Sequence, residues 1–388
     1  MKTKTKIEQI LILAVGVILA IALRYTLLNF KSIDYIKAFK GWYNVIHTYG
    51  FSSFSQNFSS YNLPYLYLLY LVARFLPDLP NLIATKLPSL IADFICAGFA
   101  YQVVRLKYSR SSLMPLLAIF AILFAPTVVL NSAYWGQADV LYTTALIACI
   151  YFLMTQKYAL AMIFFGISIS FKLQAVFLSP LLFAFFLKKE ISWKYFLLIP
   201  AVMFLAALPA WIAGRSLIDI LLIYPAQAES FGQLNMHAPS IFSWVPDGGQ
   251  FYPYFYPAGL VLGAATGFIF SVLIYKNQTN VTPPIILELA LYSVMIMPFV
   301  LPKMHDRYFY PADIITILFA FYFPSYFYVP IIMSIVSFFS YEPALFGVEP
   351  IPISALAFGV LFLLLVLGRH ITLQLTQSEP AAENMQTQ

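Results

Sequence analysis

The sequence predicts an all-α fold: a polytopic membrane helix bundle of about twelve transmembrane helices. Two observations carry that reading. The chain of 388 residues is 61% hydrophobic and 18% aromatic but only 10% charged, and its mean hydropathy of +0.82 lies far outside the range of soluble domains. Apolar runs long enough for a hydrocarbon core of about 30 Å recur from end to end, with no polar segment large enough for a separate soluble domain. Residues 1–370 therefore read as one integral-membrane domain and 371–388, ending in the polar TQSEPAAENMQTQ, as a disordered cytoplasmic tail.

The N-terminus, MKTKTKIEQILILAVGVILAIALRY, has the basic start and apolar stretch of a signal peptide without a small-residue cleavage pattern, so it is expected to stay as the first helix. The apolar runs place helices at 7–23, 82–104, 113–130, 139–155, 158–170, 173–187, 194–212, 256–275, 284–300, 308–323, 325–340 and 353–369. The run NLPYLYLLYLVARFLP is different: between Pro64 and Pro77 it offers about 18 Å of helix, too little for an ordinary crossing. If it does not cross, Lys2, Lys4, Lys6, Arg105, Lys107, Arg110, Lys188, Lys189, Lys194, Lys276 and Arg369 all fall on one side. The positive-inside rule favours that solution. Both termini are then cytoplasmic, and residues 24–81 form a long outer segment whose second half is a short helix against the membrane. Two crossings must share the stretch from Tyr158 to Leu187 around FKLQ, which points to helices broken where they line a protein cavity.

The net charge of +6 comes from scattered Lys and Arg, a pattern that orients a membrane protein and gives no nucleic-acid footprint. Cys96 and Cys149 sit in apolar runs as small hydrophobic fillers. There is no P-loop, GxSxG, HExxH or zinc-spaced Cys/His cluster.

With this topology four polar stretches face the outer side: SIDYIK, YWGQAD, FKLQ and KMHDRY. Each stands at the outer end of a helix, so a bundle can gather them around one cavity. Asp34 leads a stretch in which Ile33, Ile36, Phe39, Tyr43 and Ile46 recur at near-helical spacing. It reads either as a helix-start acid with Ser32 as N-cap or as a general base for an acceptor hydroxyl. Trp135, Gln137 and Asp139 follow a helix end with Gly136 at the turn, and read either as an interfacial Trp beside a cap or as a polar lining for sugar hydroxyls. Lys172 and Gln174 interrupt apolar sequence, the lysine as a snorkelling side chain or as the partner of a carboxylate or phosphate. Asp93, well inside a helix, needs a partner. In LPKMHDRYFYP, Lys303 and Arg307 suit a phosphate, His305 can donate to a phosphate or sugar oxygen, Asp306 can orient Arg307, and Tyr308 completes the set. The outer loop 213–255 and its edge carry Trp211, Phe231, Phe242, Trp244, Phe251 and Tyr252 among prolines, as an aromatic belt or as a cover over a lipid groove.

In their order along the chain (Asp34 after the first helix, YNLPYLYLLY, YWGQAD, FKLQAVFLSP and HDRYFYP), these segments resemble the GT-C superfamily of integral-membrane glycosyltransferases. Within it the likeness is to bacterial relatives of the second mannosyltransferase of glycosylphosphatidylinositol assembly and to the dolichyl-phosphate-glucose-dependent transferases. The resemblance spans most of the chain. It implies transfer of one hexose, mannose favoured, from a polyprenyl-phosphate sugar donor to a glycan or lipid acceptor at the outer leaflet, by an inverting single displacement among membrane lipids. Asp34 would be the base, and Arg307, His305 and Lys172 would hold the departing phosphate, with Trp135, Gln137, Asp139, Gln174, Lys303 and Tyr308 as further substrate-binding residues. Many relatives carry paired acids in the first outer loop, some with a metal; this chain has one, so no metal and no other cofactor is expected, and Asp139 competes with Asp34 as base. A lipid-linked sugar flippase, or a lipid-linked glycan polymerase or ligase, is the alternative.

Overall fold

The computed structural model describes residues 2–109, 111–223, 225, 232–246, 249–277 and 281–377. Arg110, Phe231 and residues 378–388, on which parts of the sequence reading fall, lie outside them. The chain is an all-α integral membrane protein. Among the described residues, seven helices are long and apolar enough to span a bilayer: Ile7–Leu27, Asn81–Arg105, Trp193–Ile212, Tyr252–Lys276, Pro283–Val300, Pro324–Phe346 and Ile353–Thr376. A bent pair, Met114–Leu123 with Pro126–Trp135, makes an eighth if it is one span. The other four predicted runs are also helical but short: Asp139–Met154, Tyr158–Phe171, Leu173–Leu187 and Tyr310–Tyr322. Short helices of this kind tolerate membrane depth only where neighbouring protein surrounds them, and the first is buried along nearly its whole length.

After the first helix, α1 (Lys2–Leu27), the chain turns through Ser32, whose hydroxyl accepts the Tyr35 amide at 3.2 Å. A π-helical turn Tyr35–Phe39 follows, then α2 (Lys40–Tyr49) and α3 (Leu63–Phe75). The expected apolar face is altered here. Phe39, Tyr43 and Ile46 are buried with Tyr35 and Trp42, whereas Ile33 and Ile36 are exposed, because i→i+5 winding rotates the face relative to an α-helix.

The following hairpin joins α4 (Asn81–Arg105) to α5 (Met114–Leu123). Pro126 then opens α6 (Pro126–Val129), and its ring holds Ala125 in an extended conformation at ψ 126, producing the 47° bend. The helix widens into a π-helical stretch, Leu130–Trp135, and stops at Gly136, whose φ of 82 and ψ of 26 are left-handed and favour glycine. This stop aims Trp135, Gln137 and the first residue of α7 (Asp139–Met154) at one region.

α8 (Tyr158–Phe171) ends where Lys172 goes extended at φ −156 and ψ 133, and a 3-10 turn, Leu173–Leu178, leads into α9 (Ser179–Leu187). The break falls in FKLQ, where the sequence crowds two runs into too few residues. After α10 (Trp193–Phe196), α11 (Leu198–Ile212) and α12 (Leu217–Leu221), β1 (Asn235–Met236) lies parallel to β2 (Met304–His305), tying the long loop to the HDR segment. Between them run α13 (Tyr252–Lys276) and α14 (Pro283–Val300). The loop is anchored on its other side by the Trp244 indole, which donates to the Ser354 carbonyl at 2.9 Å and packs on Phe299 and Phe358. α15 (Tyr310–Tyr322), α16 (Tyr328–Phe346) and α17 (Ile353–Gln377) complete the bundle. Residues 371–377, expected to be disordered, continue α17, since no helix breaker precedes Pro380.

Candidate active site

Asp34 stands half-buried at the start of the π-helical turn, and its carboxylate makes no capping hydrogen bond there. Ser32 serves as the cap instead. One Asp34 oxygen, Oδ2, accepts the Trp135 indole N–H at 2.8 Å and the Gln137 amide at 2.5 Å. Gln137 is oriented in turn by Tyr61, whose hydroxyl donates to Gln137 Oε1 at 2.8 Å. Both hydrogen-bond donors to Asp34 are neutral, and they orient its carboxylate.

Asp139 is fully buried at the N-terminus of α7 and is treated in the opposite way. Asn131 donates to its Oδ2 at 3.0 Å, the Lys172 ammonium pairs with its Oδ1, and Arg307 Nε stands 3.5 Å from Oδ2. Lys172 thus has a carboxylate partner and does not snorkel. Its ammonium also lies 5.0 Å above the Tyr308 ring and 5.6 Å above that of Tyr142. Burial pushes the Lys172 pKa down, and the Asp139 charge acts against that shift.

Arg307 joins the two carboxylate environments. Its guanidinium sits 5.4 Å over the Trp135 ring, the same indole that donates to Asp34, and 3.6 Å from Asp306 Oδ1, which also accepts the Arg307 backbone amide at 2.8 Å. These ion pairs are loose, and Arg307 Nε has no hydrogen-bond partner among the described residues. A cation held near carboxylates at such distances keeps donors for an incoming anion. Burial raises the Asp306 carboxyl to about 7 although Arg307 opposes it. His305 is lowered to about 2, first by burial and then by Arg307, Lys172 and His237, so its ring is neutral and carries one N–H. Its ring meets Tyr308 edge-on at 5.1 Å.

Eight of the residues expected at a site therefore come together: Asp34, Trp135, Gln137, Asp139, Lys172, His305, Arg307 and Tyr308. Gln174, half-buried in the 3-10 turn, makes no hydrogen bond to this cluster among the described residues. Lys303 points elsewhere: its ammonium caps the parallel rings of Tyr252 and Tyr256 at 5.4 and 4.7 Å. Asp93 finds its partner in Arg24, at 2.8 Å, with the Ser132 hydroxyl at 2.6 Å. Sequence reasoning missed Tyr61, although it opens the quoted segment YNLPYLYLLY, and Asn131, which stands just before the quoted turn, as well as Lys86, whose isolation in the apolar stretch IATKLPSL was a usable signal. Among the described residues no group of three or more His, Cys, Asp or Glu could hold a metal ion.

No protein-family model and no curated protein matches the chain. Solved structures do. The crystal structure of ArnT from Cupriavidus metallidurans bound to undecaprenyl phosphate superposes with a TM-score of 0.55 at 11% identity, over 95% of this chain and 78% of that one. The chain shares the fold of ArnT. At that identity the likeness extends to architecture alone.

Proposed function

We propose that the chain is a glycosyltransferase that moves one sugar from a polyprenyl-phosphate donor to a glycan or lipid acceptor. The observation that carries this reading is the Trp135 indole, which donates to a half-buried carboxylate with one edge and supports a loosely paired guanidinium with its face. A proton acceptor and an anion-binding cation thereby flank one aromatic surface. The ArnT fold, with undecaprenyl phosphate bound in that protein, supports the donor class.

Asp34 takes the proton of the acceptor hydroxyl as its oxygen bonds to the anomeric carbon. The bond from that carbon to the phosphate oxygen breaks on the opposite face, so the anomeric configuration inverts. The electron pair leaves with the polyprenyl phosphate, where Arg307, Lys172 and the neutral His305 ring stabilise the developing charge. A phosphate leaving group requires little acid assistance, and the site offers cations in place of a second acid. Mannose is the favoured sugar on family resemblance, with the site on the outer face and both termini cytoplasmic.

A donor screen in lipid tests this reading: polyprenyl-phosphate mannose, glucose and arabinose, each with membrane-lipid acceptor. Transfer from one donor, lost in Asp34→Asn, is the expected result. Label that changes leaflet without changing covalent partner would instead identify a flippase. For orientation, an impermeant thiol reagent should reach Ser52→Cys and spare Ser109→Cys; the reverse would invert the topology.

A further inference from the structure

Lys86 lies in the second turn of α4 with 1% of its surface exposed. Its ammonium is surrounded by main-chain carbonyls: Leu28 at 3.0 Å, Phe30 at 2.9 Å, Ala133 at 2.8 Å and Tyr134 at 2.9 Å. An ammonium has three protons, so with four carbonyls around it at least one N–H is shared between two of them. A methionine could fill much of the same space without burying a charge, so packing alone does not account for a lysine here.

The carbonyls come from two segments far apart in sequence. Leu28 and Phe30 lead into Ser32 and Asp34, while Ala133 and Tyr134 lead into Trp135 and Gln137, the two donors to Asp34. Further contacts bind the same segments: Phe30 stacks on Tyr134 with centroids 3.7 Å apart and planes within 11°, and the Ser32 hydroxyl donates to the Trp135 carbonyl at 2.8 Å. The turn at Gly136 lies on the lysine stem, where an added Cβ would stand 3.1 Å from Lys86 Cγ.

We propose that Lys86 is a positioning residue for sugar transfer: its ammonium fixes the register between the segment that carries Asp34 and the segment that carries the donors orienting it. The inference rests on Asp34 being the base. Lys86 touches no reacting atom; it acts through main-chain atoms on either side of the carboxylate.

The test compares wild type, Lys86→Met and Ser32→Ala as full-length proteins in lipid, by amide hydrogen exchange and by transfer kinetics. Lys86→Met should raise exchange in residues 28–36 and 131–138 while residues 353–376 keep wild-type protection. Its kcat should fall by about 30-fold, the order of loss expected from misplacing a reacting group, with donor KM held within about twofold. Ser32→Ala deletes the junction bond to the Trp135 carbonyl and the cap on the Tyr35 amide but no buried charge; raised exchange in residues 131–138, which the cap does not touch, reports the junction, should be smaller than in Lys86→Met, and remains the readout if Lys86→Met does not fold. Unchanged exchange in the two segments would overturn the tie whatever the activity. Raised exchange with a wild-type kcat would make Lys86 a purely structural tie and overturn the positioning role. Loosened segments in a protein whose wild type transfers no sugar would overturn the proposed function, and the positioning role with it, while leaving the tie intact.

Discussion

Asp34 and Asp139 are two carboxylates of one cluster placed in opposite circumstances. Asp34 is half-buried and receives only neutral N–H groups, from Trp135 and Gln137. Asp139 is sealed from solvent between Lys172 and Arg307, with Asn131 on the same oxygen as the guanidinium. A base must reach its proton and must gain by taking it. Asp139 has no accessible oxygen, and protonating it would strand two cations in a buried site. Under the proposed function, the difference favours Asp34 as the base and would leave Asp139 the separate task of holding Lys172 and Arg307 where a phosphate would arrive.

The contrast can be broken in several places. The largest expected effect is on Asp34→Asn, where turnover measured at saturating donor should fall at least about 100-fold, within the range general-base removal produces. Next comes Arg307→Ala, which removes charge-assisted bonds to phosphate; donor affinity by titration should weaken about 10-fold or more, and an unchanged affinity would remove Arg307 from the site. The smallest effect concerns pH. With its carboxyl near 7, Asp306 is neutral below that value and ionised above it. As pH rises through about 7, the new anion competes with the donor for Arg307, so donor KM should rise a few-fold. Asp306→Asn should flatten that rise, and a rise that persists in the variant would exclude Asp306 as its source.

Much of this organisation was legible in the chain because membrane helices announce themselves. All twelve predicted apolar runs are helical, and the break at FKLQ follows from the shortage of residues around Lys172. The clustering of SIDYIK, YWGQAD, FKLQ and the HDR segment was also readable, since a lipid environment leaves few other places for their polar groups. Packing decided the rest. The π-helical turn that exposes Ile33 and Ile36 has no periodic signature, because a few residues cannot distinguish one winding from another. Lys303 and Arg307 look equivalent in sequence, yet the left-handed φ of 60 at Lys303 belongs to the turn that carries its side chain to Tyr252 and Tyr256. Tyr61 reaches Gln137 only through the fold, and the carbonyl shell of Lys86 consists of main-chain atoms, which residue identities do not reveal.

The division of labour between the two carboxylates is tested most directly by measuring donor binding and single-turnover sugar transfer on Asp34→Asn and Asp139→Asn in the same lipid preparation. Asp34→Asn should bind polyprenyl-phosphate sugar as wild type does and transfer almost none. Asp139→Asn should bind the donor with altered affinity, yet transfer whatever it binds at a rate much closer to that of wild type. Transfer retained in Asp34→Asn together with donor bound but unreacted in Asp139→Asn would assign the base to Asp139 and contradict the reading of both sites.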